Sequence, residues 1–277
     1  MVKRYVDLHI HTTASDGLLP PEKAVELAKD FNLSAIAIAD HDTVEGYLKA
    51  KDKAEESGIE LVSAVELSIS YKGVDFHLLG YLINCEDSGF KSEIEDFRKE
   101  RFNRGEKIVE KLNELGVPLH IDAVKSIARG ASVGRPHLAD ALLKGEYVKS
   151  YNEAFARYLG YHAPAYVPKK YLTPGEGIEM IHKVKGLAIL AHPGTSHRDE
   201  LLYDFMEIGI DGIEAYHSQY DQFQTTHYIN WAKKYGLIYT GGSDCHGRGE
   251  EILIGKVKVP YLCLEMLKEA KKLRFGN

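Results

Sequence analysis

The sequence predicts an α/β fold with a parallel, barrel-like sheet of seven strands and a helical insertion. Short apolar runs alternate with segments of helical period along most of the chain, and this alternation is typical of βαβ units. The rhythm changes between about residues 87 and 168, where helical segments follow one another. Together these observations indicate a parallel sheet whose strand and helix order is interrupted once.

The predicted strands are short runs rich in apolar residues, each bounded by polar or turn-forming residues. In chain order they are VDLHIH (6–11), SAIAIAD (34–40), IELVSAVELSI (59–69), GLAILAH (186–192), GIEAYH (212–217), LIYTGGSD (237–244) and KVKVP (256–260). Helical segments follow several of them, at 20–31, 43–57, 221–235 and 261–273. An extra hairpin is predicted over residues 67–81, with its turn at Lys72 and Gly73.

The change of rhythm divides the chain into two predicted parts. The barrel comprises residues 1–86 and 169–277, and the helical insertion, interpreted as a lid, comprises residues 87–168. Within the insertion, residues 93–116 show the strongest helical pattern. A chain of 277 residues is long enough for one large domain that carries such an insertion.

Composition argues against several classes of protein. The net charge of −6 provides no basic surface of the kind that holds duplex DNA by bulk charge. The three cysteines are widely spaced, so neither a disulfide framework nor a C-x-x-C zinc site is predicted. No signal peptide and no apolar run of about 18 residues is present, so we expect a cytoplasmic protein without a membrane-spanning segment. The oligomeric state does not follow from the sequence.

The stretch DLHIHTTASDG, residues 7–17, is the first candidate site. Side chains at positions i and i+2 of a strand point to the same side, so His9 and His11 should project together and could share one divalent cation. A solvated surface would explain a single H-x-H equally well. The positions of the other histidines and acids decide between these interpretations.

Candidate ligands recur at or just after the carboxyl ends of predicted strands, and in a parallel barrel those ends form one face. The nine candidate metal ligands are His9, His11, Asp16, His41, Glu66, His77, His192, Asp244 and His246. Since a catalytic ion takes roughly three to four protein ligands, this number predicts two ions at least, or three if carboxylates bridge. Nitrogen and oxygen ligands without thiolate suit Mn²⁺, Fe²⁺ or Zn²⁺.

Five motifs then match a known family in order along the chain. They are H-x-H-T-x-x-S-D-G at 9–17, A-D-H-D-T at 39–43, G-R-P-H at 134–137, A-H-P-G at 191–194 and G-S-D-C-H at 242–246. The chain resembles the PHP (polymerase and histidinol phosphatase) family of metal-dependent phosphoesterases, and especially its members with a helical insertion. The resemblance implies a distorted seven-stranded (β/α)7, TIM-like barrel with a trinuclear site, and all nine candidate ligands match ligand positions of that pattern.

The predicted reaction is hydrolysis of a phosphate ester by metal-activated water, with Asp244, His246 and His192 as catalytic residues. No G-x-S-x-G and no P-loop motif occurs, so acyl transfer by serine and kinase chemistry are not supported. An amidohydrolase also begins with H-x-H, but it often bridges its metals through a lysine, where Glu66 is the corresponding group here. A metal-stabilised accessory module without turnover is the alternative outside the enzymes.

Substrate contacts are predicted at Arg135, His137 and His217. Arg135 begins a helical piece after a glycine, and a fixed guanidinium on the insertion would grip a phosphate through two hydrogen bonds. For His137 and His217, substrate contact or acid catalysis competes with an ordinary buried, hydrogen-bonded role. Asp42 is predicted to cap the next helix, with a role beside the metals as the alternative.

A lid that carries Arg135 offers an anionic anchor away from the metals, which favours a substrate with two phosphates. We therefore predict a small nucleotide substrate, either a nucleoside 3′,5′-bisphosphate that loses its 3′-phosphate or a short RNA trimmed from 5′ to 3′. A phosphatase of histidinol phosphate or another small metabolite is the alternative, because it would share the same metal ligands.

Overall fold

The computed structural model describes residues 4–168, 172–249 and 251–276, and its eight strands form one sheet. The strands are β1 (Tyr5–Ile10), β2 (Ala35–Ile38), β3 (Glu60–Tyr71), β4 (Val74–Tyr81), β5 (Leu187–Leu190), β6 (Gly212–Tyr216), β7 (Ile238–Gly241) and β8 (Val259–Pro260). Their order across the sheet is β7-β6-β5-β4-β3-β2-β1-β8. The short strands β2 and β5 are buried throughout, which explains their continuous apolar sequence.

The described sheet has eight strands rather than the seven predicted, because the hairpin is part of the barrel wall. β4 pairs antiparallel with both β3 and β5, while the pairs β1–β2, β2–β3, β5–β6 and β6–β7 are parallel. β8 is also antiparallel to its neighbour β1, in contrast to the purely parallel sheet that the alternation of strands and helices predicts. The result is a mixed sheet.

β3 and β4 form the long hairpin that the sequence predicts, and Lys72 and Gly73 make its two-residue turn. Both turn residues have positive φ, 48° and 78°, as a type I′ turn requires. β3 pairs with β2 as far as Ser63, and from Ala64 onward it pairs with β4. The hairpin thus extends the barrel wall beyond the end of β2.

The barrel is nearly closed where β1 meets the segment after β7. The first half of β1 pairs with β8, whereas its second half faces that segment. There Asp244 N donates to His9 O (2.8 Å) and His11 N donates to Cys245 O (3.0 Å). A Cβ atom on Gly242 would lie 2.3 Å from Cβ of His9, so the approach requires glycine. This seam fixes predicted ligands from both ends of the chain relative to one another.

The helices of the described residues surround this sheet. They are α1 (Pro21–Asp30), α2 (Glu45–Ser57), α3 (Ser88–Glu114), α4 (Ile121–Ala128), α5 (Arg135–Lys144), α6 (Tyr151–Ala154), α7 (Pro174–Lys183), α8 (Leu202–Ile208), α9 (Gln222–Lys234) and α10 (Leu262–Phe275). Apolar side chains of α7 to α10 pack with the sheet in the largest core cluster, and α1 and α2 pack with β1 and β2 in another. No described helix has both the length and the apolar composition needed to cross a membrane.

Helices α3 to α6 lie between β4 and α7 in the chain and share a core cluster of their own. α3 begins after Asp87, whose side chain accepts a hydrogen bond from Phe90 N (2.8 Å) and caps the helix. The division into a barrel and an insertion stays a prediction. Its predicted boundary at residue 169, like the predicted ends at residues 1 and 277, lies outside the described residues.

Replacing Gly242 with alanine should destabilise the fold, because the added methyl group would lie 2.4 Å from His9 N. We expect a loss of about 2 kcal/mol or more in the free energy of unfolding, measured by urea denaturation followed by circular dichroism. Gly175→Ala is the matched control, since the nearest atom to its added Cβ, Ile208 Cγ2, is 3.9 Å away. Equal unfolding midpoints for the two variants would contradict the tight seam between β1 and β7.

Candidate metal centre

The two histidines at the end of β1 point to the same side, as their spacing predicts. Their Nε2 atoms lie 3.1 Å apart, and both His9 and His11 are fully buried. Leu8 and Ile10, on the other side of the strand, belong to the apolar core clusters. A solvated histidine-rich surface is therefore the wrong interpretation of this motif.

All nine candidate ligands converge on one centre at the mouth of the barrel. In each of three groups the possible ligand atoms lie within 4.8 Å of one another. The groups are His11, Asp16, His41 and His246; His9, His11 and Asp244; and His41, Glu66 and His77. His192 joins them through Nε2, which lies 3.1 Å from Glu66 Oε1 and 3.4 Å from His77 Nδ1. Because His11 and His41 each belong to two groups, the groups form one continuous cluster.

Glu66 and His77 lie inside β3 and β4 rather than at strand ends. The prediction that the candidate ligands lie at or just after strand ends is wrong for these two residues, because β3 continues to Tyr71 by pairing with β4. In that pairing Ser68 lies opposite His77. The hairpin extends past the ends of the parallel strands, so positions in its interior still reach the mouth of the barrel.

Three residues at the centre have a left-handed backbone, which residues other than glycine rarely adopt. The φ angle is 27° at His192, 49° at Asp42 and 52° at Asp244. Hydrogen bonds hold all three in place: His192 N donates to Glu214 Oε2 (2.8 Å), Asp244 N donates to the strand β1, and Asp42 N donates to the strand β3. Such conformations persist where the surrounding structure fixes them, which is common at functional sites.

The donor set fits divalent cations. Within the described chain, three buried atoms of the centre lack a hydrogen-bond partner, namely His11 Nδ1, His41 Nδ1 and Glu66 Oε2. His41 Nδ1 and Glu66 Oε2 are 2.9 Å apart but not in hydrogen-bond geometry. A buried polar atom without a partner costs about 1 to 3 kcal/mol, so partnerless nitrogen and oxygen atoms at this centre favour the binding of cations. Imidazole nitrogen and carboxylate oxygen are suitable ligands for Mn²⁺, Fe²⁺ and Zn²⁺.

The charges at the centre favour bound cations as well. Burial alone would lower the pKa of His9, but neighbouring carboxylates, Glu214 foremost, raise it well above its usual range. Burial alone would raise the pKa of Asp16, but histidines, His246 foremost, hold it well below its usual range. The carboxylates therefore stay ionised and draw positive charge to the centre. Divalent ions can provide that charge in place of protons on the histidines.

Three buried acids that support the ligands were not predicted from the sequence: Asp7, Asp40 and Glu214, each at most 1% exposed. Asp7 Oδ1 accepts a hydrogen bond from Ser243 N (2.8 Å) and Oδ2 accepts one from Gly255 N (3.0 Å), which ties β1 to the segments after β7. The available signal was a single acid within an apolar strand, as in YVDLHI and GIEAY. Charged residues are rarely buried in such strands unless they are paired.

Asp40 holds the loop that carries the candidate ligand Asp16. Its carboxylate accepts hydrogen bonds from Thr12 N (2.7 Å), Thr12 Oγ1 (2.7 Å) and Ser15 Oγ (2.5 Å). The loop is thus anchored on both sides of the turn that leads to Asp16. Burial raises the pKa of Asp40, in agreement with its position away from solvent.

Glu214 on β6 orients two candidate ligands at once. Its Oε1 lies 3.0 Å from His9 Nδ1, and its Oε2 accepts a hydrogen bond from His192 N (2.8 Å). A carboxylate beside Nδ1 keeps the ring proton on that nitrogen, so Nε2 of His9 presents its lone pair to the centre. Glu214 therefore sets both the tautomer of His9 and the backbone position of His192.

His217 faces the centre, and its contact with a substrate stays a prediction. Its Nε2 lies 3.4 Å from Asp244 Oδ2, and its ring centroid is 5.4 Å from that of His192. On the other side of the ring, Nδ1 accepts a hydrogen bond from Gln219 N (3.2 Å). In its neutral form His217 consequently carries its proton on Nε2, the atom directed at the centre.

Arg135 and His137 lie at the start of α5. His137 is buried, and its Nδ1 accepts a hydrogen bond from Gly134 N (3.1 Å), so helix capping accounts for this residue without a substrate. Arg135 Nη2 lies 3.6 Å from Asp75 Oδ2, and its guanidinium is 5.6 Å from the ring centroid of Tyr161. Asp75 shares a face of β4 with the candidate ligand two residues further on, which places Arg135 beside the centre.

Asp42 does not cap α2, contrary to prediction. The Thr43 hydroxyl accepts the hydrogen bond from Glu45 N (3.2 Å) at this helix start. Asp42 Oδ1 instead accepts a hydrogen bond from Ser68 N (3.0 Å), and Oδ2 accepts one from Arg101 Nε. The local capping pattern is overridden because Arg101 reaches from α3 and joins this acid in an ion pair.

Comparison with known proteins gives consistent matches over the whole fold. The family model described as the PHP domain matches residues 7–164. A 5′-3′ exoribonuclease of Haemophilus influenzae is 34% identical over 261 residues, which cover 92% of this chain and 94% of that protein. A 3′,5′-nucleoside bisphosphate phosphatase of Chromobacterium violaceum is 27% identical over 251 residues, 88% of each chain. A Bifidobacterium adolescentis structure, provisionally described as a metal-dependent phosphoesterase, has a TM-score of 0.87 at 29% identity and 95% coverage of each chain.

Substituting Glu214→Gln should weaken divalent-ion binding by roughly 10- to 100-fold, because His9 Nδ1 loses its charged acceptor. The measurement is calorimetric titration of the metal-depleted protein with Mn²⁺ or Zn²⁺. Asp211→Asn is the matched control, since it alters a similar carboxylate and histidine pair (Asp211 Oδ2 to His182 Nε2, 2.8 Å) that lies outside the centre. Equal affinities for the two variants would mean that Glu214 does not orient a metal ligand.

Proposed function

Because this chain belongs to the PHP domain family and is a metal-dependent phosphoesterase, we propose that it hydrolyses the 3′-phosphate ester of small nucleotides. The substrates are nucleoside 3′,5′-bisphosphates, short RNAs trimmed from the 5′ end, or both. The observation that carries the proposal is the convergence of nine nitrogen and oxygen donors on one centre, His192 included. Relatives that span nearly the whole chain are named for these two activities, which supports the same substrate class.

We propose that two or three divalent ions, of Mn, Fe or Zn, occupy the centre. Three overlapping groups of candidate ligands and the bridging position of Glu66 support this number. Bound ions would activate water as the nucleophile and offset the negative charge that develops on the phosphoryl oxygens. We assign Asp244, His246 and His192 to the catalytic step. His217 lies beside Asp244 and His192, and His246 lies beside Asp244.

The two proposed reactions break the same bond, between phosphorus and the ribose O3′. Water contributes the new oxygen on phosphorus, and O3′ leaves as an alcohol that takes up a proton. From a 3′,5′-bisphosphate the group released is inorganic phosphate, whereas from RNA it is the shortened chain with a new 5′-phosphate. We assign to His217 a hydrogen bond from Nε2 to O3′ as the bond breaks, because its neutral ring carries its proton on Nε2 at the centre, and the proton that O3′ takes up comes from the attacking water.

Arg135 is the proposed anchor for the 5′-phosphate. Its guanidinium is held by Asp75 and by aromatic rings on the insertion, Phe155, Tyr161 and Tyr166, with centroids 5.6 to 5.9 Å away. These contacts fix the planar group without enclosing it, since the side chain is 20% exposed. A fixed guanidinium beside the centre binds a phosphate through two charge-assisted hydrogen bonds.

The proposed substrate class predicts an order of turnover. We expect kcat/KM for adenosine 3′,5′-bisphosphate to exceed that for 5′-AMP and for histidinol phosphate by roughly tenfold or more, about 1.4 kcal/mol, because only the bisphosphate offers both a 3′ ester and a 5′ anchor. The comparison is made with one enzyme preparation and one metal, by phosphate release. If histidinol phosphate is the best substrate, the nucleotide proposal is wrong.

Substituting Arg135→Ala should lower kcat/KM for adenosine 3′,5′-bisphosphate. We expect the transition state to lose about 1.5 to 3 kcal/mol of stabilisation, the usual loss for a hydrogen bond to a charged group. Steady-state kinetics would measure it. Arg157→Ala, which alters an exposed arginine of the same insertion, is the control. A loss of the same size with p-nitrophenyl phosphate, which has no second phosphate, would show that Arg135 supports the fold rather than the 5′-phosphate.

A further inference from the structure

A cavity of about 500 Å³ lies between the barrel and the insertion helices, and we refer to it as the α5 cavity. Its barrel side is the loop 13–18 together with Arg248, and its insertion side comes from α4 and α5. Asp16, a candidate ligand, lines the cavity, so the cavity adjoins the metal centre at this residue. The proposed reaction on a nucleoside 3′,5′-bisphosphate does not require this space.

The α5 cavity has a positive rim in a chain whose net charge is −6. Arg129 and Lys144 are both exposed, and neither makes a salt bridge with another described residue. The third cation, Arg248, is already balanced, because its Nη1 lies 2.8 Å from both carboxylate oxygens of Asp140. Two cations thus remain available to an anionic group that enters the cavity.

Helix α5 connects this cavity with the proposed 5′-phosphate anchor across the barrel mouth. At its first turn, Arg135 contacts Asp75 on β4, whereas Asp140 contacts Arg248 in the segment after β7. β4 is the middle strand of the order from β7 to β1, so it faces the β1 and β7 seam across the barrel. Lys144 lies one turn beyond Asp140 on the same helix face, about 13 Å along the axis from Arg135.

The walls of the α5 cavity also offer apolar surface. Leu18, which is 52% exposed, and the partly buried Ile127 line it together with the hydroxyl-bearing Thr13 and Ser126. Apolar faces beside free cations are suited to a nucleotide, which joins a flat base to a phosphate. Inorganic phosphate alone would use only the rim.

We propose that the α5 cavity binds the nucleotide that follows the cut bond in single-stranded RNA, with Arg129 and Lys144 contacting its phosphate backbone. This inference rests on the proposed function. A 5′-phosphate at Arg135 and a scissile phosphate at the centre leave the 3′ part of the chain on the Asp16 side, where the cavity lies. A nucleoside 3′,5′-bisphosphate has no such part, so the cavity distinguishes RNA from mononucleotide.

The test compares a 5′-phosphorylated pentaadenylate RNA with adenosine 3′,5′-bisphosphate. For the double variant Arg129→Ala/Lys144→Ala, we expect the ratio of kcat/KM for RNA to kcat/KM for the bisphosphate to fall roughly tenfold or more. The dependence of log(kcat/KM) for RNA on log[salt] should become shallower by roughly 0.7 per lost phosphate contact. Lys107→Ala, which removes an exposed lysine of α3 that does not line the cavity, should leave the ratio unchanged.

An unchanged ratio in the double variant, with RNA still cleaved, would overturn the inference. Wild-type protein that hydrolyses the bisphosphate but no RNA would also overturn it, while the proposed phosphatase activity would stand. Wild-type protein that hydrolyses neither substrate would instead overturn the proposed function itself. Circular dichroism of the double variant and of Lys107→Ala verifies that all proteins compared are folded.

Discussion

The carboxylates buried at the mouth of the barrel are the constraint on which the rest of the structure depends. Ionised groups away from water need opposite charge or hydrogen bonds nearby. Asp7 and Asp40 meet this need through backbone amides and hydroxyls, and in doing so they close the barrel and fix the Asp16 loop. Glu66 and Asp244 meet it through imidazoles, and the histidines are thereby gathered into one cluster. The buried carboxylates therefore explain both how the strands are joined at the seam and why the centre favours cations.

The convergence of the candidate ligands could be predicted from the sequence, but most of the residues that support them could not. The i, i+2 spacing of His9 and His11 is a local rule of strands, and strand ends share one face of a barrel, so local patterns suffice for most of these positions but not for those inside the β3 and β4 hairpin. Glu214 escapes such rules because its partner His9 is 205 residues away in the chain. The eighth strand and the direction of β8 depend likewise on neighbours that only the closed sheet provides. The prediction for Asp42 is wrong for a related reason. Its local sequence is typical of a helix cap, but the side chain accepts a hydrogen bond from an arginine 59 residues away instead.

Two polar contacts connect the insertion helices with the centre from different sides. Arg101 of α3 donates to Asp42 and to Ser68 Oγ (2.8 Å), next to the candidate ligands after β2 and on β3. Asp140 of α5 holds Arg248, whose Nη2 also donates to the backbone oxygen of Asp16 (2.8 Å). A displacement of α3 or α5 would therefore disturb the positions of candidate ligands. The elements that we assign to substrate selection and the elements that carry the candidate ligands are parts of one hydrogen-bonded network.

The left-handed backbone at His192 and Asp244 restricts how this site can vary among related sequences. Each position demands a residue that tolerates positive φ and also offers a donor atom, and His, Asp and Asn are the side chains that combine the two most readily. Asparagine would keep the conformation and lose the charge, glutamate would keep the charge and strain the backbone, and glycine would remove the donor. Few substitutions are therefore compatible with these two positions. A homologue with other residues there would have lost the activity rather than changed its substrate.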